Sequence, residues 1–388
     1  MSVDTARVSP ISAAPDRRRL TALRLASQWI GGRDGATPGD VVRWMLALQG
    51  QDFPGAKWSV GLRQSSSGET AVDAAFHAGE IVRSWPLRGT LHLVTAEDLG
   101  WLLALTAPRM LGAAAARRAS LGLTDADVER AREVAMASLS GGRVLARRAL
   151  LSVIARGGVD VSGQRGYHVL RYLAQTGTLV LGAPQGGQQA FALLDEWVRT
   201  PRRPERDEAL GELAFRFFRS HGPATVRDLA RWSALTLTDV RRGLAVCGTR
   251  LAALEVDGTT YHLGPQILDG ASPDPAVHLL PGFDEYLLGY ADRSAVLPPE
   301  HAGVVVPGGN GMFRPTIVAD GEVRGTWRRT VTAREVVIEP RLFGPLSGTL
   351  QDGLAVAAGA YGAYLGRPAR LAWGTTDDAP PARDPAGA

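Results

Sequence analysis

Apolar positions first recur at helical spacing over residues 17–30, where Leu20, Leu23, Leu25, Ala26 and Ile30 lead to a stop at Gly31-Gly32. A second helix opens at Thr37-Pro38-Gly39-Asp40, with Thr37 as N-cap and Pro38 at the first helical position. Val42, Met45 and Leu46 supply its buried face, and Gln49, seven residues after Val42, falls on that face. Gly50 reads as the helix stop, with Pro54-Gly55 preventing continuation. A third helix lies near 70–78, and two short strands flank a turn within 81–94. Helices followed by a β-ribbon outline a winged helix.

The outline recurs after a helical link over 96–110. Helices near 125–138, 144–155 and 164–175 precede strands at 178–181 and 189–194 around Gly186-Gly187. Past the linker 201–204, helices near 208–220, 225–232 and 237–245 lead to alternating runs at 251–256 and 260–263. Asp257-Gly258 between them is a strong hairpin signal. Beyond Pro273, runs at 277–280, 304–306, 313–318, 321–326 and 331–338 are strand-like and punctuated by Gly and Pro, and 351–365 reads as a helix before a strand at 369–373. The expected fold is α+β: three tandem winged-helix units at 17–110, 111–200 and 201–272, then a small antiparallel β-barrel or sheet subdomain with a C-terminal helix at 273–375. Residues 1–16 read as frayed, and the Pro/Ala/Asp-rich stretch 376–388 as a disordered tail.

Composition changes this picture little. The 388 residues are 45% hydrophobic and 21% charged, ordinary for a soluble globular chain of more than one domain. Neither a bilayer-spanning run nor a basic-plus-apolar leader stands out, and the single cysteine, Cys247, precludes an intramolecular disulfide, so the expected location is the cytoplasm, on the nucleoid. The seven histidines are scattered without paired ligand spacing, so neither a metal nor a cofactor is expected. The net charge is +4, and Lys57 is the sole lysine, so nearly all positive charge is arginine. A GC-rich genome accounts for that bias, and forked arginine donors also suit phosphate.

Candidate chemistry centres on Gln49 and Gln51, two amides across a flexible glycine. If the backbone is extended at Gly50, the two point to one side; otherwise one satisfies a helix end and the other lies in solvent. Asp52 is a candidate base, or a turn residue before Phe53-Pro54. Arg88 and His92 share a face and form either a site contact or a satisfied wing pair. Asp284 and Glu285 are candidate supporting carboxylates, of which a strand would turn only one toward a site, with Asp284 the better turn residue. Arg241-Arg242 and Arg328-Arg329 read as phosphate contacts or solvated surface pairs.

Four stretches together resemble the AlkZ/YcaQ-like (HTH_42) winged-helix DNA glycosylases. They are Gln-Gly-Gln-Asp-Phe-Pro-Gly-Ala-Lys-Trp at 49–58, Arg-Ser-Trp-Pro-Leu-Arg-Gly-Thr-Leu-His at 83–92, Leu-Pro-Gly-Phe-Asp-Glu-Tyr-Leu-Leu-Gly-Tyr at 280–290 and Pro-Gly-Gly-Asn-Gly-Met-Phe-Arg-Pro at 307–315. The resemblance spans about 17–373 and implies removal of alkylated bases from duplex DNA, with Gln49 and Gln51 as the family's Gln-Φ-Gln pair. Φ is apolar in that pattern and Gly50 here, a departure expected to loosen the two amides. The implied activity is monofunctional excision of N7- or N3-alkylated purines, extending to bulky adducts or interstrand crosslinks, by a monomer acting on alkylated duplex DNA. Asp52, Asp284, Glu285 and His92 stand as catalytic support, and Lys57, Trp58, Arg88, Arg241 and Arg242 as DNA contacts. Gly309, Asn310, Met312, Phe313 and Arg314 are expected at the tip of a hairpin that probes the lesion. A non-catalytic winged-helix regulator is the competing expectation.

Overall fold

The computed structural model describes residues 17–66, 68–185, 188, 190–268, 276–345 and 347–373. The expectations for 1–16, for Gly186-Gly187 and for the tail 376–388 lie outside them.

The first group comprises α1 (Arg17–Ser27), α2 (Pro38–Met45), β1 (Leu48–Gln49), α3 (Phe53–Gly61), α4 (Glu69–His77), β2 (Ile81–Leu87) and β3 (Thr90–Thr95), followed by α5 (Ala96–Ser120). A reciprocal capping box fixes the start of α2: Asp40 N donates to Thr37 Oγ1 and Thr37 N donates to the Asp40 carboxylate. The helix ends earlier than its apolar spacing suggests. Leu46 takes φ +66°, so the chain leaves the helix at Met45 and Gln49 sits on a strand, not on a helix face. The sequence pattern also misses α3. Pro54 starts that helix instead of blocking one, because its missing N–H is unneeded in the first turn.

The second group has α6 (Asp125–Leu139), β4 (Leu145–Ala146), α7 (Arg147–Arg156), α8 (Arg165–Gln175), β5 (Leu179–Leu181), β6 (Ala190–Leu193) and the short α9 (Leu194–Trp197). The third has α10 (Arg206–His221), α11 (Val226–Ser233), α12 (Leu237–Cys247), β7 (Ala252–Val256) and β8 (Thr259–Leu263). The C-terminal part holds β9 (Val277–Leu280), α13 (Glu285–Leu288), α14 (Ala302–Val305), β10 (Thr316–Ala319), β11 (Glu322–Val331), β12 (Val336–Leu342), α15 (Gly348–Tyr364) and β13 (Ala369–Leu371).

The architecture is mixed α+β. The ribbons of the first two groups merge into one six-stranded sheet of order β1-β3-β2-β5-β6-β4, while β7 and β8 pair alone. The C-terminal sheet is open, in the order β13-β12-β11-β10-β9, and its last strand corrects the antiparallel expectation: β13 joins β12 in parallel. Residues 304–306 are also not a strand. They belong to α14 and the turn after it, so 307–315 forms a connection from α14 to β10 and not a hairpin tip.

One core runs from the first group into the C-terminal sheet. Trp58, Trp327, Tyr361 and Tyr364 meet there edge to face or tilted, and Trp58 Nε1 donates to the Leu279 carbonyl at 2.7 Å. Helix α5 is long and apolar enough, by length and composition, to cross a membrane, contrary to the sequence reading. In the fold Leu99, Leu102, Leu103 and Leu105 are buried in the core, and the last turn carries Arg117 and Arg118.

Candidate active site

Strand β1 is only two residues long, and it places Gln49 opposite His92 of β3. The β2–β3 connection is a two-residue turn, Arg88-Gly89, with φ +51° and +68°. Two consecutive positive φ values match the twist of a tight hairpin, but only the glycine adopts that region freely. Arg88 is held there by its side-chain partners. Nη2 donates to Gln49 Oε1 at 3.0 Å and to His92 Nε2 at 3.2 Å, and Nη1 donates to the Trp232 carbonyl at 2.6 Å. Strain at such a position marks a site whose surroundings fix it.

Below Gln49 lies Glu285, fully buried at the start of α13. Its Oε1 accepts from Gln49 N at 3.0 Å and its Oε2 from Trp232 Nε1 at 2.8 Å, with His221 Nε2 3.7 Å away. Burial works against the carboxylate, but His221 and the charge of Arg88 outweigh it and hold Glu285 down at about 2. For His92, burial and then the Arg88 charge push the imidazole down to about 3. It is neutral, with Nδ1 donating to the Thr90 carbonyl at 2.9 Å and Nε2 left to accept from Arg88. Burial likewise lowers Arg88, against the pull of Glu285.

Gln51 differs from Gln49. It is exposed, and its Oε1 only grazes Leu91 N at 3.4 Å. Between them Gly50 is bound at both peptide groups: its N–H donates to the Leu91 carbonyl at 2.7 Å, and its carbonyl accepts from Arg83 Nε at 2.9 Å. Asp52 caps α3 by position, accepts no side-chain cap bond, and faces Arg329 Nη2 at 3.4 Å.

Several expected site residues go elsewhere. Asp284 is a buried structural anchor: Arg63 grips both its oxygens at 2.9 Å, Ser59 Oγ donates to it, and Oδ1 caps Tyr286 N at 3.0 Å. With its lone pairs occupied, it is corrected from catalytic support to a strut between α3 and α13. Lys57 is 8% exposed and neutralised by Glu69 at 2.6 Å and Asp73 at 3.0 Å, and Trp58 is 6% exposed, so neither offers DNA a surface. Phe313 is likewise core, packed beside Phe283 and under Arg293. Gly309, Asn310 and Met312 are exposed on the α14–β10 connection, with Met312 56% accessible, and Arg314 is half-buried. On α12, Arg241 and Arg242 are exposed; Arg242 pairs with Asp207 at 2.5 Å, and Arg241 forms no ion pair among the described residues.

The sequence reading missed Trp232, His221 and Arg83 as parts of the site. Arg83 has a local signal, since it stands in the same stretch as Arg88. Trp232 and His221 come from the third group, on an amphipathic helix and at a helix end, with no local signal. Among the described residues no group of three or more His, Cys, Asp or Glu could hold a metal ion.

Helix-and-ribbon groups around two amides, braced by a half-buried arginine and a buried carboxylate, define an α+β protein whose central groups form hydrogen bonds without titrating near neutral pH. The chain belongs to the AlkZ-like DNA glycosylase family, whose model matches residues 42–364, and it is a DNA glycosylase. It is similar to an interstrand DNA cross-link repair glycosylase of Streptomyces sahachiroi, with 29% identity over 339 residues, 83% of this chain and 90% of that one. The solved structure of Streptomyces sahachiroi DNA glycosylase AlkZ aligns with a TM-score of 0.76 at 26% identity, covering 92% of this chain and 99% of that one.

Proposed function

We propose that this glycosylase excises N7- or N3-alkylated purines from duplex DNA by water attack at C1′, leaving an abasic site. The observation that carries the reading is the fixed carbonyl of Gln49, braced by Arg88 from the side and by Glu285 through its backbone. An alkylated purine is already cationic and departs as a neutral base, so no general acid is needed. What remains is to hold a water against C1′ and to accommodate the oxocarbenium-like charge. Gln49 Oε1 spends one lone pair on Arg88 and keeps one for the water; the Gln51 carbonyl supplies the second acceptor. Glu285 is ionised and places a fixed negative charge beneath the site, but both its oxygens are occupied, so it is no proton acceptor. Amides are weak bases, which confines the enzyme to bases that are already labile.

The groups of helices and ribbons are read as three tandem winged helices, which present α12 and its arginines to the duplex, and the chain as a cytoplasmic monomer. The likeness to a cross-link repair glycosylase extends the proposed substrates to interstrand crosslinks joined through purine nitrogens. The test is to incubate the protein with duplex DNA carrying N7-methylguanine or an N7-linked crosslink and to quantify free base and unhooked strands. Release from both is expected. Release from the crosslink alone would overturn the simple-lesion substrate, and release from neither would overturn the reading.

A further inference from the structure

Beside Gln51, a cleft of about 460 Å³ opens between the β2–β3 ribbon and the second group of helices. Its walls include Arg83, Trp85, Arg147, Tyr167 and His168, and neither Asp nor Glu is among its lining residues. Arg83 is 5% exposed, and its only hydrogen bond among the described residues is the one Nε makes to Gly50. Its two terminal nitrogens form no hydrogen bond among the described residues, and the guanidinium lies 5.0 Å from the Phe53 ring. The charge Arg83 feels from Asp52 is shared, since that carboxylate faces Arg329. Arg147 is half-buried, forms no ion pair among the described residues, and opens α7, whose first turn holds no acidic residue. The positive end of that helix dipole adds to the two guanidinium charges. Trp85 and Tyr167 meet edge to face at 6.4 Å, with Tyr167 against His168 at 5.4 Å. Burial and then the charges of Arg171, Arg117 and Arg118 push His168 down, so it stays neutral.

The cleft thus offers donors and aromatic walls, with positive charge in excess. A cationic alkylated base and an oxocarbenium are both repelled by such a place. The anion always tethered near C1′ of a lesion is a backbone phosphodiester. We propose that this cleft is a phosphate subsite, in which Arg83 and Arg147 grip one phosphodiester of the lesion strand and Trp85 and Tyr167 flank its sugar. It rests on the proposed function only in taking Gln51 to face the lesion nucleotide. Because Arg83 also holds the Gly50 carbonyl, a seated phosphate and the peptide linking the two glutamines share one guanidinium.

The test reads binding, so it does not depend on turnover. A duplex carrying a tetrahydrofuran abasic analogue is prepared with a single neutral methylphosphonate at each of the phosphates around the lesion, and Kd is measured by fluorescence anisotropy. One position is expected to weaken the wild-type protein roughly 10-fold or more, the scale of a charge-assisted contact. Arg147→Ala should weaken the all-phosphate duplex by a similar factor and show no further loss at that position, while other positions stay additive. Arg83→Gln should behave alike if its thermal unfolding shows it folded. Full additivity at every position, or an Arg147→Ala protein that binds as the wild type, overturns the subsite. Base release from N7-methylguanine by the wild type is measured in parallel, so a failure of the proposed reaction is seen separately.

Discussion

Gln49 and Gln51 should not be equal in catalysis, and their structural difference sets the size of the gap. Gln49 is 8% exposed and pinned at Oε1 and at its backbone N–H, so it needs no ordering when substrate arrives. Losing one such preorganised group costs about 10²- to 10³-fold in the chemical step. Gln51 is exposed with a single long contact at 3.4 Å, so it must be fixed as the bound complex moves to the transition state. Immobilising a side chain costs about 0.5–1.5 kcal/mol, roughly 2- to 12-fold. Gln51→Ala should therefore lose about 10- to 500-fold, in each case less than Gln49→Ala by that factor. The assay is single-turnover release of N7-methylguanine at saturating enzyme, so that binding drops out. Gln49→Ala should also lower stability by about 1–3 kcal/mol, since Arg88 loses one acceptor but keeps His92 and Trp232. A larger loss for Gln51→Ala would refute the ordering argument; wild-type rates for both variants would remove the glutamines from catalysis.

Three further outcomes are expected. Arg63→Met strands the buried Asp284 carboxylate and should cost about 3–5 kcal/mol in a denaturant titration, a loss that Arg63→Met with Asp284→Asn partly restores. Arg241→Ala should weaken damaged and undamaged duplex alike and reduce the salt slope by about one phosphate, whereas Lys57→Ala should lower thermal stability and leave DNA affinity unchanged, its ammonium being spent on Glu69 and Asp73. Because His92 is held at about 3 against an ordinary 6.5, the unfolded chain takes up its proton first; the stability it supports is full above about pH 6.5 and lost as pH falls toward 3, with Glu285 adding to the loss below about pH 4.5. Denaturation midpoints from pH 7.5 to 4 check this, and a His92→Gln protein with an unchanged slope would refute it.

Much of the fold was legible because it is written in local signals. Thr124 and Thr225, each followed three residues later by Asp, form capping boxes that start α6 and α11, and Asp257-Gly258 turns β7 into β8. Where the reading failed, tertiary contacts decided. Leu46 accepts a left-handed φ so that Gln49 can pair with β3, an exchange no helical periodicity announces. Val304 and Val305 look β-branched and strand-like, yet no neighbouring strand pairs with them among the described residues and they close a short helix. Glu285 and Asp284 were expected to split between two faces of a strand. On a helix start both are buried, one under Gln49 and one on Arg63. The glutamines themselves were visible by type, but Trp232, which accepts from Arg88 and donates to Glu285, could be placed only by the fold.

Gly50 was expected to loosen the two amides, and magnitudes argue otherwise. A glycine in an extended segment gives up about 0.5–1 kcal/mol relative to alanine through its added freedom. Against this stand two hydrogen bonds on its own peptide groups, one of them from the guanidinium of Arg83, a type that contributes about 1.5–3 kcal/mol. The clamp outweighs the freedom. Space does not oppose this: a Cβ at Gly50 would lie 3.3 Å from Leu93 Cδ2, a close approach to a flexible side-chain end, and 3.4 Å from Arg83 Nε, an ordinary contact. The glycine and Arg83 therefore form one device: the guanidinium holds the carbonyl between Gln49 and Gln51 and offsets the freedom the missing side chain allows. An apolar residue in that place would fix the pair by packing. Here a buried cation fixes it by a hydrogen bond, and the same cation faces the cleft beside Gln51.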